Sequence, residues 1–117
     1  MYLIFAYGTL KKGSHNHYLL ESSEYLGEHV TEEQYTMYSA GGFPIVEREG
    51  SNSIPGEVYR VDDTTLAKLN RLEGCTGIQH DPNNWYDFDV IQTEFGDAMM
   101  YVQNKNSNKN LKQITKW

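Results

Sequence analysis

Two short stretches hold residues suited to chemistry, "AYGTL" at 6–10 and "LEGC" at 72–75. In the first, Tyr7 and Gly8 follow an apolar run, and Thr9 and Leu10 lead into Lys11 and Lys12. Glycine after a strand often only turns the chain. Alternatively, successive N–H groups of such a turn converge on one concavity and hold a carboxylate or an oxyanion without any arginine. In the second stretch, Glu73 closes a helical pattern, where the negative end of the helix dipole disfavours a carboxylate. At the surface it is an ordinary solvated side chain. Buried against apolar strands, its pKa rises, the condition under which a carboxylate serves as a base near neutral pH.

Other reactive residue types fit bland roles. His15 and His17 share one side only if the segment is a strand, and no third ligand stands at metal spacing. Two surface histidines beside a capping Ser14 is the simpler reading. Cys75 follows the acidic Glu73 by two positions, and a carboxylate opposes formation of a nucleophilic thiolate, so packing explains it better. No nucleophile elbow, phosphate-binding glycine loop or pair of Cys-x-x-Cys motifs occurs.

Ten basic against sixteen acidic side chains give a net charge of −6, which argues against a nucleic-acid partner held by a broad basic face. The lysines gather at both ends, as solubilising charges or, at Lys11 and Lys12, as a local anion contact. A single cysteine excludes an internal disulfide and suits a reducing cytoplasm. The N-terminal apolar run is too short for a membrane span or an export signal. At 117 residues the chain is expected to form one domain.

The elements that must position these residues follow from apolar periodicity. "YLIFAY" (2–7) has apolar residues on both alternation sets and reads as a strand buried on both faces. "SHNHYLLESS" reads as a short helix with Ser14 as N-cap. Strand character follows over 25–38, after the Gly-Gly turn at "GGFPIV", and over "IPGEVYRV". "TTLAKLNRLEG" is a helix capped by Asp62 or Asp63, with Leu66, Leu69 and Leu72 on one face and Gly74 just past its end. Strands are expected at 86–93 and 97–103, and 104–117 reads as a polar tail pinned by Ile114 and Trp117. Strands outnumber helices without alternating with them, so the expected class is α+β: a mixed sheet curled towards a small barrel, with one or two flanking helices.

In order and spacing, "FAYGTLKKGSHNH", "GGFPIV", "GEVYRVDDTTLAKLNRLEGC", a Tyr-led strand and "AMMYV" resemble the γ-glutamylcyclotransferase-like proteins. The segment "YGTLKKG…NH" with "LEGC" is most similar to the γ-glutamylamine cyclotransferase branch. The resemblance spans residues 2–102, and 1–103 is taken as the domain. It implies a small mixed β-barrel that needs no metal or organic cofactor. It also implies a loop of Tyr7, Gly8, Thr9 and Leu10 that binds the substrate's γ-glutamyl head, a catalytic glutamate at Glu73, and a substrate contact at Tyr86. The implied activity is attack of the substrate's own α-amine on its γ-carbonyl, giving 5-oxoproline and a free amine. The implied partner is a small γ-glutamyl compound such as γ-glutamyl-ε-lysine; oligomeric state is not legible.

Three departures fall near the expected site. Asn70 replaces the family's common Asp, "TGIQHDPNN" (76–84) lengthens the loop before Trp85, and Phe88 stands where Arg is frequent. The alternative reading is a module that keeps the barrel and binds a small metabolite or a protein partner without turnover.

Overall fold

Apolar residues on both faces place β1 (Tyr2–Ala6) at the centre of a sheet ordered β2-β5-β1-β7-β6. The computed structural model describes residues 1–103 and 110–117. β1 runs antiparallel to β5 (Pro55–Val61) and parallel to β7 (Gly96–Val102). β2 (Glu24–Val30) and β6 (Asp87–Thr93) form the two edges. A second sheet is ordered β4-β3-β8, from β3 (Tyr35–Ser39), β4 (Pro44–Asn52) and β8 (Lys112–Ile114).

Side chains of β1 alternate between two cores. Phe5 and Tyr7 enter one with Tyr35, Met37, Val46 and Val58. Ile4 and Ala6 enter the other, with Leu20, Leu69 and Tyr101. Each fully buried large side chain stabilises by about 1.5–3 kcal/mol, so this strand anchors both layers and fixes where Tyr7 and Gly8 emerge.

The helix α1 (Asp63–Glu73) forms as its caps dictate. Asp62 accepts from the Thr65 N–H at 2.7 Å, and Gly74 takes a left-handed φ of 65°, its N–H bonded to the Arg71 and Asn70 carbonyls. Leu69 is buried and Leu66 partly so, but Leu72 is exposed. An i, i+3 stripe drifts round a helix of 3.6 residues per turn, which carries Leu72 off the buried face.

Three expectations change. The barrel is not closed: among the described residues the strands form two sheets, which meet where the Gln103 N–H donates to the Val46 carbonyl at 2.7 Å beside an isolated Glu47–Gln103 bridge. The segment after β1 makes only a 3₁₀ turn at His17–Leu20, preceded by Asn16 rather than Ser14. Asn16 does not cap that turn, because its side chain donates to the Thr9 hydroxyl instead. Residues 104–109 of the expected tail lie outside the described residues. Beyond them, Ile114 and Trp117 pack against the first core, and Lys112–Ile114 adds a strand that the Asn- and Lys-rich composition concealed.

Candidate active site

Where β1 ends, Tyr7 stays buried and its hydroxyl donates to the Tyr101 carbonyl at 2.6 Å. Gly8 then passes against Pro44 so closely that a Cβ would stand 2.5 Å from the proline Cγ. Only glycine fits without moving the loop or the start of β4. The chain turns through a Lys11 N–H to Gly8 carbonyl bond (3.0 Å) and is clipped shut by Asn16, whose N–H and Nδ2 reach the Thr9 carbonyl and hydroxyl, each at 2.9 Å. The Glu57 carboxylate holds the outer turn by accepting from the Lys12 N–H. Among the described residues, the N–H groups of Gly8, Thr9 and Leu10 donate to none of these turn bonds. They are the donors a nest requires.

Glu73 approaches from the end of α1. Its carbonyl accepts from the Tyr86 N–H (3.2 Å), and the Gly74 carbonyl accepts from the Trp85 N–H (2.8 Å), so the helix terminus is tied to the segment entering β6. A Cβ on Gly74 would come within 3.0 Å of Trp85 Cβ, a second reason beside its φ for glycine there. Between helix end and loop lies a cavity of ≈ 230 Å³. Glu73 lines it, and desolvation pushes the carboxyl up from 4.5 to about 7. At neutral pH this carboxyl is divided between acid and base.

Three tyrosines surround it with their hydroxyls already committed. Tyr7 donates to the Tyr101 carbonyl, Tyr86 to the Pro44 carbonyl at 3.0 Å, and Tyr101 to Asn70 Oδ1 at 2.7 Å. Burial raises the pKa of all three, and the Glu73 charge adds to it, so they stay neutral. None of them donates to Glu73, whose carboxylate has no hydrogen-bond or ion-pair partner among the described residues.

The lengthened loop is a braced structure. The Thr76 N–H donates to Asn84 Oδ1 (2.6 Å), the Thr76 hydroxyl to Asp81 (3.0 Å), and Asn84 Nδ2 to the Ile78 carbonyl (2.8 Å). Asp87, 2 % exposed, accepts from the His80 and Phe88 N–H groups and from Arg48 Nη2. Burial opposes its ionisation, but these donors outweigh burial and hold the carboxyl below its ordinary value. The result is a fixed position for Trp85 and Tyr86 beside Glu73.

Residues 4–117 match the gamma-glutamyl cyclotransferase, AIG2-like family. The chain belongs to this family. A Vibrio cholerae relative, provisionally named a gamma-glutamylcyclotransferase, is 42 % identical over 101 residues, covering 86 % of this chain and 81 % of its own. The crystal structure of the uncharacterised protein PH0828 from Pyrococcus horikoshii superposes with a TM-score of 0.79 at 30 % identity, covering 98 % of this chain and 86 % of that one. The mouse AIG2-like protein shares the fold, with a TM-score of 0.79 at 20 % identity and coverage of 100 % and 88 %.

For this member of the gamma-glutamyl cyclotransferase family, the six residues singled out from sequence, Tyr7, Gly8, Thr9, Leu10, Glu73 and Tyr86, all line the same cavity. Sequence reasoning missed Phe43, Pro44, Trp85 and Tyr101, which also line it, and gave no ground for including His15 and Asn16, which do. No local pattern pairs Pro44 with Gly8; their close approach exists only once β4 is placed beside the end of β1. His17 turns away, its Nδ1 2.9 Å from the Leu10 carbonyl and its ring against Tyr59. Cys75 is buried, with its thiol pushed up by that burial, as a packing residue would be. Among the described residues no group of three His, Cys, Asp or Glu side chains is placed for a metal. Among the same residues, no helix is long and apolar enough to cross a membrane.

Proposed function

We propose that this chain is a γ-glutamyl cyclotransferase acting on γ-glutamyl amines, with γ-glutamyl-ε-lysine as the type substrate and Glu73 as general acid and base. The substrate's α-nitrogen attacks its own γ-carbonyl carbon, a five-membered ring closes, and the bond to the departing amine breaks. The protein supplies no nucleophile. It holds the γ-glutamyl chain folded back on itself, and well-oriented intramolecular attack reaches effective molarities of about 10⁵–10⁸ M.

Two tasks remain for side chains and backbone. The substrate's ammonium, which titrates at about 8, must lose a proton before it can attack. Glu73 takes that proton, delivers it to the departing nitrogen as the carbon–nitrogen bond breaks, and accepts the second proton that the ring nitrogen sheds as the lactam forms, which then passes to the freed amine. Such help is worth about 10²–10⁴-fold in rate. The N–H groups of Gly8, Thr9 and Leu10 receive the α-carboxylate or the oxyanion of the tetrahedral intermediate. Tyr86 walls the cavity, through its bond to the Pro44 carbonyl, and contacts the substrate stem.

The observation that carries this reading is the position of Glu73: a carboxyl desolvated on the cavity, which pushes it up to about 7, without a protein partner among the described residues and facing the same space as the Gly8–Leu10 loop, whose N–H groups make none of the turn bonds. The test is to incubate the protein with γ-glutamyl-ε-lysine, γ-glutamyl-alanine and glutathione and follow 5-oxoproline by mass spectrometry. Product, fastest from γ-glutamyl-ε-lysine, is expected. Binding of these compounds with no product would overturn the reading in favour of a non-catalytic metabolite module.

A further inference from the structure

The cavity mouth carries an aromatic pair that ring closure does not need. Trp85 is 58 % exposed and Phe43 39 % exposed, yet they are not scattered surface residues. Their ring centroids lie 6.5 Å apart, edge to face, and Trp85 also meets Tyr86 edge to face at 4.7 Å. All three line the same cavity, with Pro44 and Leu72 beside them. A large indole left in water at a cavity mouth, next to a second aromatic ring, offers apolar area that a ligand can cover.

The shelf is also held in place before any ligand arrives. The Trp85 N–H is bonded to the Gly74 carbonyl, Asp87 braces the loop on the other side, and Phe43 precedes the Pro44 that packs on Gly8. A rigid aromatic platform loses little entropy on binding.

We propose that Trp85 and Phe43 clamp the carbon stem of the departing amine, making the site favour amines with an apolar, above all arylalkyl, stem over short alkylamines. Lysine's methylene chain suits the same shelf; a phenyl ring suits it better. The proposal rests on the cyclotransferase reading for its substrate head, but the clamp itself is a binding property.

Two probes separate clamp from turnover: γ-glutamyl-phenethylamide and γ-glutamyl-methylamide. With wild-type protein, kcat/KM by 5-oxoproline release should favour phenethylamide over methylamide by about tenfold or more. Trp85→Ala should narrow the phenethyl-to-methyl ratio to within about two-fold. A general loss of folding or of Glu73 function would lower both rates and leave the ratio unchanged, which would overturn the clamp. Calorimetry on Glu73→Gln, which does not consume substrate, reads the same ratio in Kd. A binding preference that Trp85→Ala abolishes, without turnover by wild type, would sustain the clamp and overturn the enzyme. Turnover with equal kcat/KM for phenethyl- and methylamide would do the reverse. No binding of any probe would overturn both.

Discussion

Replacing Glu73 by Gln should make the protein more stable as it makes it inactive, and the gain should depend on pH in a defined way. The carboxyl titrates at about 7 in the folded protein and near 4.5 when free of the cavity. Between those values the folded state holds a proton that the unfolded chain has released. Stability therefore falls as pH rises through the window, and the full cost is present above about pH 7. At 1.36 kcal/mol per pH unit the cost reaches about 3 kcal/mol, an upper bound because the side chain keeps some contact with solvent. The amide in the Glu73→Gln variant cannot ionise and avoids it. The stability difference between variant and wild type should be near zero at pH 4.5 and grow to about 3 kcal/mol at pH 8, roughly 10 °C in Tm. Urea unfolding of both proteins at pH 4.5, 6, 7 and 8 measures it directly. A constant difference across the series, or a gain at pH 4.5 that shrinks towards pH 8, would refute the claim that desolvation of Glu73 sets its titration.

Further consequences follow from the same geometry. In the acid limb, kcat/KM should fall about tenfold per pH unit below an apparent pKa near 7, rather than near 4.5; a rate profile flat between pH 5 and 8 would exclude Glu73 as the titrating base. Gly8→Ala drives a methyl group against Pro44, so it should cost about 1–3 kcal/mol of stability by denaturant titration and raise KM, because the loop that offers the N–H groups must shift. Tyr86→Phe removes a buried hydroxyl donor from the Pro44 carbonyl and should cost about 1 kcal/mol by the same measurement.

The sequence pointed to the loop and the helix end on the cavity better than to the walls around them. Tyr7 to Leu10 and Glu73 were legible as cavity residues through the order and spacing in which YGTL and LEGC resemble the family; their local patterns alone, a strand running into a turn and an amphipathic helix meeting glycine, left the bland readings open. The helix ends were legible from local pattern, since Asp62 and Gly74 cap their own neighbours. Phe43, Trp85 and Tyr101 come from distant parts of the chain and reach the cavity only after β4, β6 and β7 are placed. No periodicity encodes that. Closure into a barrel depends on strand register, which local alternation does not carry, and the strands settle instead into two sheets. β8 escaped notice because a three-residue strand amid Asn and Lys has no apolar alternation to display. Ser14 and Asn16 are equally good caps by type, and only the approach of Thr9 decides what Asn16 does.

Whether Glu73 carries the proton is decided by 5-oxoproline release from γ-glutamyl-ε-lysine, measured for wild type and Glu73→Gln side by side at pH 8. Wild type should yield product, and the variant, fully folded, should lose about 10²-fold or more in kcat. Equal rates from the two proteins would remove Glu73 from the reaction.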